Sequence, residues 1–212
     1  MQFLFDHALA ILCGAFLLVG VLTLQTQSRI HSVQETIQGS ARSQIGSFAD
    51  VVSQELDNVL SETQARAMLD SYRCLLERDP TNSFTSRAEV PALIRLSASA
   101  PPVPAHLRFT MVASGDSVLT GGAWAKTYRL ERAIDTGAGY GPPSTIATGL
   151  VDFDMTFRGR AAESASGGPP IRFSQIAVDM AMAHSDLDQD DAALNVARLG
   201  LVVRPPNLTS GS

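Results

Sequence analysis

The chain has 212 residues and a formal net charge of −5, and its Lys and Arg residues do not gather in any one segment. Nucleic-acid-binding proteins usually concentrate basic residues on one face or stretch, so these features argue against nucleic acid as a partner. Because the N-terminal third is committed to one long helix, about 130 residues remain for a globular head, the size of one modest domain.

Residues 3–24 form an almost uncharged apolar run, interrupted only by Asp6 and His7. Its 22 residues would rise about 33 Å as a helix, enough to cross a hydrocarbon core of about 30 Å. Ala10 and Gly14 lie four residues apart on one face, where small side chains let another helix approach closely. The run therefore predicts a transmembrane helix that contacts lipid and packs with other helices.

The helical pattern continues past the apolar run as an amphipathic rod. Up to about residue 60, apolar residues recur at steps of three and four, which places them on one stripe of a helix. Such a stripe must be covered by a partner or by the head of the same chain. It consists of Ile30, Val33, Ile37, Ala41, Ile45, Phe48, Val52, Leu56 and Val59. Residues 1–60 are thus predicted to form a transmembrane and amphipathic rod helix.

A second helix is predicted from Glu62 to about Asp79, where apolar residues again recur at helical spacing and Pro80 would stop the helix. It could extend the rod or fold back after Ser61. Beyond Pro80 the apolar period changes to alternation, which is typical of strands. Residues 61–212 therefore predict a head that contains this helix and then a sheet.

Alternation of apolar and polar residues predicts the strands of the head. The clearest strands span 151–157 and 176–182, and further strands are expected at 107–112, 128–134 and 196–203, with a weaker one near 93–97. Together they indicate an antiparallel sheet of about four to six strands joined in sequence order. The predicted fold class is α+β: a long N-terminal membrane-spanning helix packed against a C-terminal antiparallel sheet.

Gly115-Asp116-Ser117 resembles the serine motif of one lipase and esterase family. That chemistry needs a histidine base held by a carboxylate, and the downstream His184 lacks an Asp three residues before it. A polar hairpin turn is the better interpretation of the segment. No enzyme activity is predicted for the chain.

Four aspartates, Asp186, Asp188, Asp190 and Asp191, lie close together between two predicted strands. Alternating aspartates can fold around Ca²⁺, but an EF-hand loop needs Gly at its sixth position and Glu at its twelfth, where this chain has Asp191 and Ala197. Another kind of calcium loop and a solvated acidic turn both remain open. No other cofactor is predicted.

The order of these elements resembles the type IV pilin superfamily, and within it the larger minor pilins and the J-type pseudopilins of type II secretion. Four degenerate segments carry the resemblance, which covers most of the chain. They are Phe48-Ala49-Asp50-Val51-Val52-Ser53-Gln54-Glu55-Leu56, Thr127-Tyr128-Arg129-Leu130, Leu150-Val151-Asp152-Phe153 with Phe157-Arg158, and Val196-Ala197-Arg198-Leu199-Gly200-Leu201-Val202-Val203-Arg204-Pro205-Pro206-Asn207-Leu208.

The family pattern departs from this sequence at the N-terminus. Pilin precursors carry a short basic leader ending in Gly and have Glu as the fifth mature residue, and this sequence shows neither. If Met1 is removed, Asp6 becomes the fifth residue, where it could offset the terminal amine of a neighbouring subunit as the pilin Glu does. Asp6 is therefore a predicted assembly residue.

The resemblance implies a structural subunit that joins copies of itself or related pilin-like subunits in a type IV pilus-like filament or secretion pseudopilus. Its assembly residues would be Asp6, Ala10 and Gly14 with Ile30, Val33, Ile37, Ala41, Ile45 and Phe48 of the stripe. The alternative is a single-pass accessory or binding subunit of a membrane complex that forms no filament.

Two arginines after the span, Arg29 and Arg42, favour a cytoplasmic head by the positive-inside rule. The resemblance implies the opposite orientation, with the protein membrane-inserted, its head extracytoplasmic, and the assembled form at the cell surface or in the periplasm. We follow the resemblance, because two residues are a thin count.

Overall fold

The computed structural model describes residues 2–82, 84–97, 99–120, 123–158, 174–183 and 196–209. Its elements are α1 (Gln2–Leu56), α2 (Glu62–Met68), β1 (Leu75–Arg78), β2 (Thr85–Ile94), β3 (Val103–Thr120), β4 (Ala123–Asp135), β5 (Ser144–Arg158), β6 (Gln175–Ala183), β7 (Val196–Val203) and α3 (Pro206–Thr209). The chain divides into two compact units, Met1–Ser40 and Ala41–Ser212. The predicted α+β class, with a long N-terminal apolar helix and a C-terminal antiparallel sheet, is confirmed.

The last four turns of α1 form the helical part of the core in the second unit. Ala41, Ile45, Ala49, Val52 and Leu56 are buried there, at the three- and four-residue spacing that keeps side chains on one helix face. Opposite positions carry polar residues that remain exposed. This part of the stripe is therefore covered by the head of the same chain.

Helix α1 ends at Leu56, four residues before the predicted end at Leu60. The reason is that the next backbone groups bond to β2: the Leu60 N–H donates to the Pro91 carbonyl at 2.8 Å, and the Leu93 N–H donates to the Asn58 carbonyl at 2.9 Å. These bonds replace helical ones with contacts to the sheet. The end of the helix is thus set by tertiary structure.

The second helix is much shorter than predicted. It begins with a capping box, in which Ser61 and Gln64 satisfy each other's backbone N–H groups, so a new helix starts here and the rod is not extended. It ends at Met68, and the prediction of helix to about Asp79 is wrong. Residues Leu75–Arg78 form β1 instead, because their backbone pairs with β2. The spacing of their apolar residues fits either a helix or a strand, and the backbone pairing with β2 determines that they form a strand.

All seven strands form one antiparallel sheet in the order β1-β2-β3-β4-β5-β6-β7. The predicted connection in sequence order is confirmed, and the count exceeds the predicted one. The sequence predicts a helix where β1 forms, and the weak strand expected near 93–97 overlaps only the last two residues of β2, which runs from Thr85 to Ile94. Each of the other strand predictions overlaps an observed strand.

The sheet curls so that the start of β2 touches β5. The Thr85 side chain, which is fully buried, accepts a hydrogen bond from the Met155 N–H at 2.9 Å and donates to Asp154 Oδ1 at 3.1 Å. Asp154 also pairs with Arg78 of β1 at 3.0 Å. These contacts close the curled sheet around the core that contains Phe109, Leu130, Leu150, Phe153 and Met155.

The Gly115-Asp116-Ser117 segment lies inside β3 and is not the predicted hairpin turn. The β3–β4 register shifts between Ala113 and Ser117, and Gly115 has a φ of +85°. A β-bulge with a left-handed glycine accounts for both observations. The hydroxyl of Ser114 stabilises the bulge by accepting from the Asp116 N–H at 3.2 Å.

Replacing Thr85 with Val tests the closure of the sheet. Valine keeps the shape of threonine but removes the hydroxyl, so the buried Met155 N–H loses its acceptor, and we expect a loss of about 1–3 kcal/mol in the free energy of unfolding. Urea denaturation of the detergent-solubilised chain measures it. The matched control is Thr110→Val on the partly exposed face of β3, expected within about 0.5 kcal/mol of the parent. Equal effects of the two substitutions would contradict the closure.

Candidate functional site

The candidate for the membrane-inserted segment is the part of α1 that lies in the first unit, Met1–Ser40. Its large apolar side chains are exposed on every side of the helix: Ile11, Leu12, Phe16, Leu17, Leu18, Val19, Val21, Leu22 and Leu24. Among the described residues, α1 is a helix whose length and composition would allow it to cross a membrane. A helix that is apolar all round is stable only in lipid or within a protein assembly.

Two threonine hydroxyls in this part of α1 bond to carbonyls of the helix itself. The hydroxyls of Thr23 and Thr26 donate to the carbonyls of Val19 and Leu22, each at 2.8 Å. Gly14 has no other group within 4 Å of the position that a Cβ would occupy. The helix by itself therefore gives no reason for a glycine at this position.

The structure places the predicted assembly residues in different environments. Asp6 and Ala10 lie within α1, but their side chains are outside the described residues. Ile30 and Val33 are 37% and 47% exposed, and Ile37 is half-buried. Ala41 and Ile45 are buried in the core of their own chain, and Phe48 packs against that core. The last three thus have intrachain roles, which leaves the earlier stripe members accessible to a partner.

One ion pair ties the end of α1 to the sheet. Arg132, on the core-facing side of β4, donates through Nη1 to Oε1 of Glu55, and both side chains are largely buried. Among the described residues, Glu55 Oε2 and Arg132 Nε are buried with no hydrogen-bond partner. Burial raises the pKa of Glu55 above its ordinary value, although Arg132 opposes the shift. Such a pair costs desolvation, but it fixes which residues meet.

A second cluster of polar residues lies on the outer face of the sheet, on β2 and β3. Glu89 is almost fully buried and bonds to Arg87, while the guanidinium of Arg108 stacks 3.9 Å from the centre of the Tyr140 ring. Burial and the nearby Glu89 carboxylate raise the pKa of Tyr140 to about 12. This arrangement folds the β4–β5 loop back over the sheet.

Asp135, at the end of β4, holds two connections together. Its Oδ1 accepts from the N–H groups of Gly137 and Gly139 at 2.8 and 2.9 Å, and its Oδ2 lies 3.4 Å from Arg73 Nη1. The backbone hydrogen bond from Gly137 is the largest cause that lowers the pKa of Asp135. His106 faces Asp135 across the β3–β4 ladder and is 3% exposed. The carboxylate thus anchors the β4–β5 loop and the segment before β1.

A notch of about 580 Å³ lies where β4 and β5 stop pairing. The ladder between them runs only from Tyr128↔Leu150 to Arg132↔Ser144, so the start of β4 diverges from the second half of β5. Phe84 and Tyr128 meet edge to face at its wall, with ring centres 5.0 Å apart. Other lining residues are Thr81, Asn82, Lys126, Asp152, Ala181 and Arg198. The surface is mixed in polarity and carries both charges.

The possible calcium ligands Asp186, Asp188, Asp190 and Asp191 lie outside the described residues. Within the described ranges, no group of three or more His, Cys, Asp or Glu residues is placed to hold a metal. Cys13 and Cys74 are both free thiols, the former exposed and the latter buried.

Sequence reasoning missed three polar features: the Glu55–Arg132 pair, the Thr85–Asp154 closure and the Asp135 anchor. One signal was available, because Arg132 occupies an apolar position in the alternation of β4 between Leu130 and Ile134. A charged residue at a core-facing position indicates a buried partner. The partner itself, 77 residues away, had no sequence signal.

Comparisons with known proteins add no relative to this picture. No protein-family model matches the chain, and neither a curated protein nor a solved structure matches it.

Replacing Arg132 with Met tests the ion pair. The substitution leaves the Glu55 carboxylate buried without its partner, and we expect a loss of about 2 kcal/mol in the free energy of unfolding at pH 7, less than for a fully buried pair. Without Arg132 the pKa of Glu55 rises further, so the folded state takes up more protons than the unfolded state. The deficit should therefore shrink as the pH is lowered from 7 to 5.

The matched control for this experiment is the double variant Glu55→Leu with Arg132→Met, which removes both charges. Denaturation should show that it recovers most of the lost stability and that the pH dependence disappears. A double variant as unstable as Arg132→Met alone would mean that packing of the arginine stem, not its charge, is responsible.

Proposed function

We propose that the chain is a structural subunit of a type IV pilus-like filament or secretion pseudopilus, which assembles through its N-terminal helix. The observation that carries the proposal is that one unbroken helix, α1, supplies both the exposed apolar surface at residues 11–24 and the buried core of the head at residues 41–56. No linker separates the two functions.

The continuity of α1 argues that the apolar segment is retained. Val52 and Leu56 are fully buried in the head, so the helix end cannot leave the head without exposing the core to water. A tether that only anchors a domain needs no such integration. In an assembly subunit it is useful, because the same helix then takes part both in subunit packing and in the core of the head.

The segments that resemble pilins fall on core elements of the head. Phe48–Leu56 belongs to the packed end of α1, while Leu130, Leu150 and Phe153 are fully or almost fully buried in β4 and β5. Val203, at the end of β7, is also buried. These positions support a common packing plan, and they leave the exposed part of α1 free for subunit contacts.

In this proposal the apolar part of α1 contacts lipid before assembly and other copies or related subunits afterwards. Close approach would occur at Ala10 and Gly14, and Asp6 would offset the terminal amine of a neighbour. Ile30, Val33 and Ile37 would continue the contact beyond the membrane. The head would lie on the extracytoplasmic side, at the cell surface or in the periplasm. The protein has no enzymatic role in this proposal.

Substitutions at Gly14 test the proposal. Gly14→Leu places a large side chain where the isolated helix has open space, so the head should remain folded while close helix packing is lost. We expect filaments in sheared cell-surface material, viewed by electron microscopy, to be reduced at least tenfold. That loss corresponds to about 1.4 kcal/mol.

Gly14→Ala is the matched control, because alanine also removes the glycine but stays small enough for close approach. It should retain filaments, and circular dichroism should show equal melting of both variants. Normal filaments with Gly14→Leu would exclude helix packing at this site. If the parent protein forms no filament and instead purifies with a membrane complex, the alternative accessory subunit is correct.

A further inference from the structure

We infer that His106 is a pH-sensitive latch: its protonation opens the α2–β1 connection, residues 69–74, while the rest of the head stays folded. This inference is independent of filament formation, because every residue in it belongs to the second unit. The device consists of a buried imidazole under a short segment that is held by few polar contacts.

The imidazole of His106 lies in a buried environment. His106 is 3% exposed, and its Nε2 is buried with no hydrogen-bond partner among the described residues. Ser71, within the connection, places its backbone beside the ring. A proton added at Nε2 would create a buried, charged N–H group that has no acceptor in the closed arrangement.

Charged groups of both signs face the ring of His106. Arg73 of the connection adds a positive charge, while Asp135 of β4 and Glu89 of β2 add negative ones. Both carboxylates are already engaged: Asp135 by two backbone N–H groups and Arg73, and Glu89 by Arg87. On the remaining sides, Arg108 of β3 stacks on Tyr140 of the β4–β5 loop. An imidazolium would therefore have to compete with these partners for either carboxylate.

The balance of these effects is that burial, followed by Arg73, lowers the pKa of His106 below its ordinary value. The closed state thus binds the proton less well than an open state in which the ring is solvated. As the pH falls from about 6.5, opening becomes more favourable by up to about tenfold per pH unit until the lower pKa of the closed state is reached.

The connection is the element that can yield. It has no strand pairing of its own, and it contacts the head through Tyr72 and Cys74, which pack in or against the core, and through the Arg73–Asp135 pair, in which Arg73 is 48% exposed. It ends at Cys74, whose thiol is buried. This burial raises the pKa of the thiol to about 12. Opening would expose this thiol, and the thiol then reports the event.

The experiment measures labelling of Cys74 by an aromatic disulfide reagent in full-length protein held in detergent micelles. Cys13→Ala makes Cys74 the only thiol. Rates at pH 7.5 and 5.5 are divided by those of the same protein unfolded in urea, which removes the intrinsic pH dependence of the reaction. We expect the normalised rate to rise at least fivefold at pH 5.5.

His106→Gln, added to the Cys13→Ala protein, should abolish the rise, because glutamine cannot take up a proton in this range. A rate that does not change with pH in the parent, or that changes equally in the glutamine variant, would overturn the inference. If the glutamine variant does not fold, hydrogen exchange of the parent decides. After correction for intrinsic exchange, the amides of residues 69–74 should lose protection at pH 5.5, while the amides of β6 keep their protection. An equal loss of protection in both segments would also overturn the inference.

Discussion

Burial of the last four turns of α1 by the curled sheet is the constraint on which the head depends. Val52 and Leu56 have no exposed surface, and they belong to the same hydrophobic core as the strand residues Leu107, Leu130 and Phe153. A single sheet of seven strands cannot bury one of its faces alone, so it needs a second layer. Helix α1 supplies that layer, and the sheet in turn supplies the cover that an amphipathic helix requires.

Polar contacts then select one arrangement from the many that apolar packing would allow. Glu55 with Arg132 fixes the end of α1 against β4, and Thr85 with Asp154 fixes the start of β2 against β5. Asp135 fixes two connections at the far end of β4. Because the Glu55–Arg132, Thr85–Asp154 and Arg73–Asp135 contacts join residues that are distant in sequence, a wrong register would leave buried polar groups without partners.

Two parts of α1 have different surroundings. The apolar face of residues 41–56 is buried in the core of the head, whereas the apolar residues at 11–24 are exposed in the isolated chain and require lipid or other helices. Hydrophobic association drives the first case, but close packing and small residues drive association between helices inside a membrane.

Sequence periodicity was sufficient for the long helix, for most of the strands and for their order, since helical and strand periods differ and Gly- and Pro-rich segments separate the strands. It failed at residues 69–79, where the spacing of Tyr72, Leu75 and Leu76 fits a helix and the pairing of β1 with β2 decides otherwise. It also failed at Gly115, where a bulge was interpreted as a turn.

The sequence by itself determined that α1 exists, that its first part is apolar all round and its second part apolar on one side, and that an antiparallel sheet follows. Only the tertiary structure decided where α1 ends, which part of its stripe the head covers, and which charges become buried. The physical reason is that period and composition act within about 10–15 residues, whereas burial and ion pairing depend on residues brought together by the fold.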